Sequence, residues 1–207
     1  MANTYLDEIE LRLTTQREQP MEKAEQAVRT ALAVDPDYPP YGTLSRISRL
    51  KKDMETAIVY GRKSVQQAPN DSGRHYMLCL ALFMGEEFKE SVDACESALR
   101  LAPFRPVNYV VNLAWALVGT TQYDKSIPLF KEVIDRSPQS NYAYLAYKGL
   151  TAAYELSDRH VDAQWAAQNV MRMNPNFSLE NEFKLSPNKE GPFDASVFNA
   201  YSNAGLK

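Results

Sequence analysis

The stretch ACESALRLAP, residues 94–103, sets small side chains between charged ones, runs as an amphipathic helix and stops at a proline. Proline lacks the N–H that a helix interior needs, and it pushes the residue before it toward extended backbone. The phrase recurs along the chain. AVRTALAVDP (27–36), YGRKSVQQAP (60–69), LFKEVIDRSP (129–138) and AQNVMRMNP (167–175) have the same form. The terminating prolines, Pro36, Pro69, Pro103, Pro138 and Pro175, are spaced by 33, 34, 35 and 37 residues. A small or apolar residue stands five before each: Ala31, Ser64, Ala98, Val133 and Val170. A period near 34 predicts a helical solenoid, in which no unit buries its apolar face alone and each must stack on its neighbours.

Each period holds two helical patterns joined by a short turn. HYMLCLALFM (75–84) is followed by Gly85 and Glu86 as turn residues, then by FKESVDACESALRL (88–101). VNYVVNLAWALV pairs in the same way with YDKSIPLFKEVIDR, and YLAYKGLTAAYEL with VDAQWAAQNVMRM. Connections this short join antiparallel neighbours. Pro128 falls inside a second helix and predicts a slight bend there.

Composition excludes several functions. The 207 residues are 44% apolar with a formal charge of −3, and the pI is near 5.5. Nucleic-acid binding needs clustered cations, so no nucleic-acid partner is expected. The opening MANTYLDEIELRL carries acids and no apolar run of signal-peptide length, and no stretch is apolar enough to span a bilayer. The expectation is a cytoplasmic protein without a membrane partner. Two cysteines, Cys79 and Cys95, are too few for a disulfide framework or a self-contained zinc site, and free buried thiols are expected. The chain's two histidines, His75 and His160, lie on different repeats, too far apart in sequence to give an adjacent nucleophile and base. SDRHVD (157–162) has metal-binding residue types, but polar residues are ordinary at a turn. The reading is a noncatalytic protein without cofactor or metal.

These residues resemble the tetratricopeptide repeat (TPR) family, whose unit is a 34-residue helical hairpin. Counted back from each proline, the family's packing positions hold Leu78, Cys79, Leu82, Ser91, Cys95 and Ala98 in the third unit. The fourth has Leu113, Ala114, Leu117, Ser126, Phe130 and Val133, and the fifth Tyr147, Leu150, Thr151, Tyr154, Ala163, Ala167 and Val170. The second keeps Tyr41, Leu44 and Ala57 but has Ser48 where a large apolar residue is usual. The first keeps Leu11, Ala24, Val28 and Ala31, with Glu8 and Arg12 departing from the pattern. The resemblance implies an all-α, right-handed superhelix of about five hairpins over residues 1–175, at 5–36, 37–69, 70–103, 104–138 and 139–175, the first two degenerate. Beyond it, NPNFSLENEFKLSP (174–187) and AYSNAGL (200–206) resemble the tail of TPR regions associated with bacterial class III adenylate or guanylate cyclases and related signalling proteins.

The extension, 176–207, has its own pattern. In PFDASVFNAYSNAGLK (192–207) Asp194 suits an N-cap, Phe193 and Phe198 a hydrophobic staple, and Gly205 a left-handed helix end. Val197, Phe198 and Tyr201 share one face. The expectation is a helix capping the fifth repeat; the alternative is a segment folded into the groove or onto a second copy.

In the family the first helix of each hairpin lines a concave groove. The resemblance then points to Tyr76, Met77, Leu80, Phe83 and Met84 in the third unit, and to Asn108, Val111, Asn112, Trp115 and Val118 in the fourth. Helices apolar all round are normally covered, and such a groove suits an apolar peptide or helix, with the asparagines gripping its backbone. The family's carboxylate clamp for chaperone tails is absent: Asn112 matches one clamp position, while Tyr76, Leu80, Leu145 and Gly149 do not. Lys148 is expected to be solvated or to meet an acidic group on a partner. The partner is a protein or peptide, and a homodimer is the alternative.

Overall fold

A computed structural model describes residues 5–6, 18–185 and 191–207, with only the backbone at Leu185. The opening helix of the first repeat, with Glu8, Leu11 and Arg12, lies outside the described residues. Eleven helices and no strand lie among the described residues: α1 Glu18–Val34, α2 Tyr41–Leu50, α3 Met54–Gln67, α4 Ser72–Met84, α5 Phe88–Leu101, α6 Val107–Gly119, α7 Tyr123–Arg136, α8 Asn141–Glu155, α9 His160–Met173, α10 Leu179–Leu185 and α11 Pro192–Asn203.

Local chemistry sets the helix ends. Asp53, Asp71 and Ser140 are N-caps whose side chains accept from Thr56, from Gly73 and Arg74, and from Ala143 backbone N–H groups. The C-caps Ala68, Ala102, Ser137 and Asn174 each directly precede one of the periodic prolines. Inside each hairpin the turn is made by a left-handed residue that is not glycine: Lys52, Glu86, Thr121 and Asp158, with φ of 64°, 60°, 58° and 59°. At each, the next residue's N–H reaches back to close the helix, as Glu87 does to the Leu82 carbonyl at 2.9 Å. Gly85 and Glu86 form the turn as expected, Gly85 as the C-cap at φ −86° and Glu86 with the positive φ. α7 runs unbroken through Pro128.

From α1 to α9 each helix packs on the next, and the first helices also touch one another in a row, α2 on α4, α4 on α6, α6 on α8. Every packing position named for the third, fourth and fifth units is buried. Of the small polar residues there, Ser126 and Thr151 bond carbonyls of their own helices, while Ser91, like Ser45 of the second unit, bonds across its hairpin. Ser91 Oγ donates to the Cys79 carbonyl at 2.9 Å, and Ser45 Oγ to the Ala57 carbonyl at 2.7 Å. Cys79 and Cys95 are joined in a disulfide rather than left as free thiols; their Cα atoms are 5.2 Å apart, within the span a disulfide bridges.

The core has two parts. One runs from α3 through α9 and into α11. The other is a small cluster of Leu6, Ala24, Val28 and Ile47 under α1, where Ala31 is exposed rather than packed.

The C-terminal helix packs on α8, the first helix of the fifth hairpin. Its start differs from expectation: Gly191 is the N-cap and Pro192 the first helical residue, so Asp194 and Phe193 lie inside the first turn. Its end is as the pattern required. Gly205 has φ +94°, Leu206 N–H bonds the Tyr201 carbonyl at 3.0 Å and Gly205 N–H that of Ser202 at 3.1 Å. This pair of bonds satisfies the last turn.

Candidate functional site

The row of first helices presents one face to the C-terminal segment, and a cleft of about 450 Å³ lies between them. Its floor is built by helical spacing: Phe83 from α4; Val111, Asn112 and Trp115 from α6, at i, i+1 and i+4; and Tyr144, Leu145 and Lys148 from α8. Its roof is the chain's own tail, Glu182 of α10 with Phe193, Val197, Phe198 and Tyr201 of α11.

Aromatic packing fixes both sides. The Phe193 ring lies 4.6 Å from that of Phe88 and 5.9 Å, edge-on, from that of Phe83, so the tail reaches back two hairpins from its seat on α8. Trp115 is held edge-to-face on Phe130 at 5.7 Å, and Phe130 is fully buried against Gly149, where there is no side chain in the way. Phe198 meets Phe183 at 5.3 Å and Tyr201 at 6.0 Å. Burying an aromatic or aliphatic side chain of this size stabilises by about 1.5–3 kcal/mol, so the tail is a substantial part of the fold.

The polar groups in the cleft pair with each other. Lys148 forms an ion pair with Glu182, its side chain only 12% exposed. The expected solvated lysine is therefore corrected: the acid it meets belongs to the same chain. The Lys148 ammonium also lies over the Tyr144 and Tyr201 rings at 5.7 and 5.9 Å. Asn112 spends both amide hydrogens internally, donating to the Tyr76 hydroxyl at 3.1 Å and the Asn108 carbonyl at 2.7 Å. Its side chain has no N–H left for a peptide backbone. Burial pushes the Tyr76 phenol up to about 12, with hydrogen bonding from Asn108 opposing that rise. Tyr201, fully enclosed, is also raised by burial.

The predicted groove residues thus divide. Phe83, Val111, Asn112, Trp115 and Lys148 meet at the cleft. Tyr76 is buried, its ring stacked at 4.1 Å on Tyr109, and serves with Asn108 as internal support. Met77 lines a separate cleft of about 440 Å³ at the α2 and α4 starts, with Arg46 and Arg74. Leu80 is half-buried and lines neither of these two clefts. Val118, also expected in the groove, is core at 2% exposure. Tyr144 and Glu182 were missed. Tyr144 could have been found as the i−4 neighbour of Lys148 on one helix face; Glu182 had no periodic signal.

The residues of SDRHVD do not converge. Arg159 Nη2 holds Asp162 at 2.6 Å, and His160 Nδ1 lies 3.0 Å from Glu155. That pairing raises the His160 pKa above its ordinary 6.5. His75 Nε2 sits 2.8 Å from the Pro69 carbonyl in another repeat. Among the described residues no group of three or more metal-ligating side chains gathers, and no helix is long and apolar enough to cross a membrane.

No family profile matches the chain. A curated relative, the E3 ubiquitin-protein ligase CHIP of Arabidopsis thaliana, is 31% identical over 99 residues, 47% of this chain, and the match spans only 36% of that protein's length. Solved structures match over more of the chain. PilW, a widely conserved type IV pilus biogenesis factor, superposes with a TM-score of 0.70 at 17% identity, over 98% of this chain and 87% of that one. A thermophilic TPR protein of Thermus thermophilus gives 0.63 at 14% identity, over 99% and 98%. YrrB, described as a TPR protein with an unusual peptide-binding site, gives 0.59 at 15% identity, over 86% and 90%. Together with the stacked hairpins, these likenesses show the TPR-repeat fold, an all-helical superhelix.

Proposed function

We propose that this chain is a noncatalytic scaffold that holds an apolar helix or peptide of another protein on the concave face of its third to fifth hairpins. The observation that carries this reading is the cleft itself, where Phe83 and Trp115 give apolar surface beside a partly buried ion pair. Convergent apolar area with few polar groups recognises apolar side chains rather than activating a bond. The fold shared with a TPR protein named for a peptide-binding site supports it.

The five repeats of residues 1–175 and the extension are proposed to work as one unit in bacterial signalling, on the resemblance of the tail to cyclase-associated TPR regions. The proposed compartment is the cytoplasm. The Cys79–Cys95 bond opposes that placement, because reducing compartments keep thiols free. Trapping thiols in acid-quenched cells decides it: two alkylated cysteines support the cytoplasm, none without reductant overturns it.

The test of the scaffold is capture from a bacterial lysate by wild type and by Trp115→Ala, followed by binding of the identified protein in purified form. A partner lost with Trp115 in a folded monomer supports the reading; equal capture by both moves the site elsewhere. Self-association is a second reading, favoured by the exposed Val161 and Trp165 on α9. A doubled mass in light scattering that Trp165→Ala abolishes would establish it.

A further inference from the structure

Away from the tail, the cleft of about 440 Å³ opens where α2 and α4 begin and α3 ends. Ser64 of α3 lines it, and its Oγ is buried without a hydrogen-bond partner among the described residues. Folded proteins nearly always satisfy a buried hydroxyl with a protein group, a water or an ion. At the same distance before their prolines the other repeats carry Ala31, Ala98, Val133 and Val170, so packing at this position needs no hydroxyl. Gly42, in the first turn of α2, keeps the space beside it: a Cβ there would lie 3.1 Å from Ser64 Oγ. The next two hairpins carry Tyr76 and Val111 at that position.

Three helices bring donors to this cleft. α2 opens at Pro40, an N-cap that supplies no side-chain acceptor to the first-turn N–H groups. From α4, Arg74 Nη1 donates to the Ser64 carbonyl at 2.9 Å and to Gln67 Oε1 at 3.1 Å. Those bonds fix the guanidinium beside Ser64, and its Nη2 makes no hydrogen bond among the described residues. Arg46 lines the same cleft and is itself buried. The one acid in the lining, Asp71, is turned to its own helix: Oδ1 caps Gly73 and Arg74 N–H at 2.8 and 3.2 Å, and Oδ2 lies 3.6 Å from Arg74 Nε. Tyr38 and Tyr41 add flat apolar surface. The Tyr41 ring is stacked on Tyr60 at 5.9 Å, with Lys63 Nζ 5.3 Å from its centre.

We infer that this cleft binds a phosphomonoester carried on a flat apolar group, with the Ser64 hydroxyl, Arg74 Nη2 and the first turn of α2 on the phosphate oxygens and the tyrosines against the body. A phosphate head has three acceptor oxygens pointing in different directions, which matches donors arriving from three helices; a planar carboxylate is gripped from one side. The start of a helix and a guanidinium both favour an anion there. The cleft is larger than a phosphate alone, which leaves room for the organic body. It shares no lining residue with the groove beneath the tail, so this site and the scaffold reading stand or fall separately.

The probe is phenyl phosphate, titrated at constant ionic strength into the isotope-labelled full chain and followed by NMR, with inorganic phosphate and benzoate as comparisons. The expected result is a saturable shift of the Gly42 and Thr43 amides and of Arg74 Nε, with both comparison anions weaker by about tenfold. Ser64→Ala should weaken phenyl phosphate by about tenfold while leaving the urea midpoint no lower than that of wild type, because an unpartnered hydroxyl does not hold the fold. Gly42→Ala should weaken it as much by setting a methyl group against the hydroxyl. Arg74→Lys keeps the charge and loses the fork, with a loss of about tenfold again. Phosphotyrosine as its N-acetyl amide identifies the source: tighter binding than phenyl phosphate assigns a phosphorylated peptide, equal binding a free organic phosphate, and either supports the site. No saturable shift at these groups overturns the inference, as does equal binding to wild type, Ser64→Ala and Gly42→Ala. Benzoate binding as tightly as phenyl phosphate overturns the assignment to a phosphate, and a lowered midpoint in Ser64→Ala makes the hydroxyl part of the fold and overturns its role in a site.

Discussion

Replacing Gly149 by alanine drives a methyl group into the ring of Phe130. A Cβ built there falls 2.6 Å from Phe130 Cε2 and closer still to Cζ, far inside van der Waals contact. Phe130 has nowhere to go: it is fully buried, and Trp115 packs on it at 5.7 Å. Alanine gains about 1 kcal/mol over glycine in a helix interior, while forcing extra volume into a filled core costs about 1–3 kcal/mol, and more where the neighbour cannot yield. The balance is a loss of about 1–2 kcal/mol, read by urea unfolding followed by circular dichroism. In a Trp165→Phe background the emission of Trp115 should shift as well, because the displaced ring presses on the floor of the cleft. Gly61→Ala is the control. There the nearest atom is the end of the Leu78 side chain at 3.0 Å, which can give way, and the same exchange should be neutral or stabilising by up to about 1 kcal/mol. A Gly149→Ala chain as stable as wild type would refute the claim that helices α7 and α8 approach through this glycine. A second check is a double-mutant cycle with Phe130→Leu, whose coupling should exceed about 1 kcal/mol.

Backbone conformation gives a pair of opposite effects. Glu86→Gly should stabilise by about 0.5 kcal/mol, relief of the left-handed conformation outweighing the added unfolded-state freedom. Gly205→Ala should destabilise by about 1 kcal/mol through φ alone, since open space surrounds the new methyl; both are read from urea midpoints. Arg105 and Arg136 hold the Glu132 carboxyl below its ordinary 4.5, Arg105 contributing most. A depressed carboxylate pKa stabilises above the unfolded value and is lost as pH falls through the folded one, so Glu132→Gln should cost less than about 1 kcal/mol at pH 7, the pair being partly exposed, and the difference should shrink as pH falls below 4.5 and disappear once the folded carboxyl is protonated. His160 should titrate above 6.5 by NMR and return toward it in Glu155→Gln, as the hydrogen bond to Glu155 is the main cause of the rise.

Much of the architecture is legible in the chain because it is local. The prolines end helices where a lost N–H and a clash demand it, and small or apolar residues at fixed distances before them mark where helices meet. The buried Leu78, Leu117 and Leu150 stand at packing positions that the TPR resemblance implied. The turn at Gly85 and Glu86 was legible as a turn, while the hydrogen bonds around it decide that Glu86 takes the left-handed conformation.

The functional face was legible only in part. Side chains at one face of α4 and α6 could be picked out, but whether a partner, a neighbour or the tail covers them depends on contacts between residues far apart in sequence, for which no period exists. Asn112 was assigned to a partner's backbone and in the fold serves Tyr76; Lys148 was assigned to solvent or to a partner's acid and meets Glu182 of its own chain. By itself, then, the sequence determined the hairpins, their period and the residues that pack within them, since helix ends and amphipathic faces arise from neighbours along the chain. Only the tertiary structure decided that the C-terminal helix folds back across three hairpins and roofs the groove, because the superposition of hairpins sets the distance from Phe193 to Phe83 and Phe88, and no local rule does.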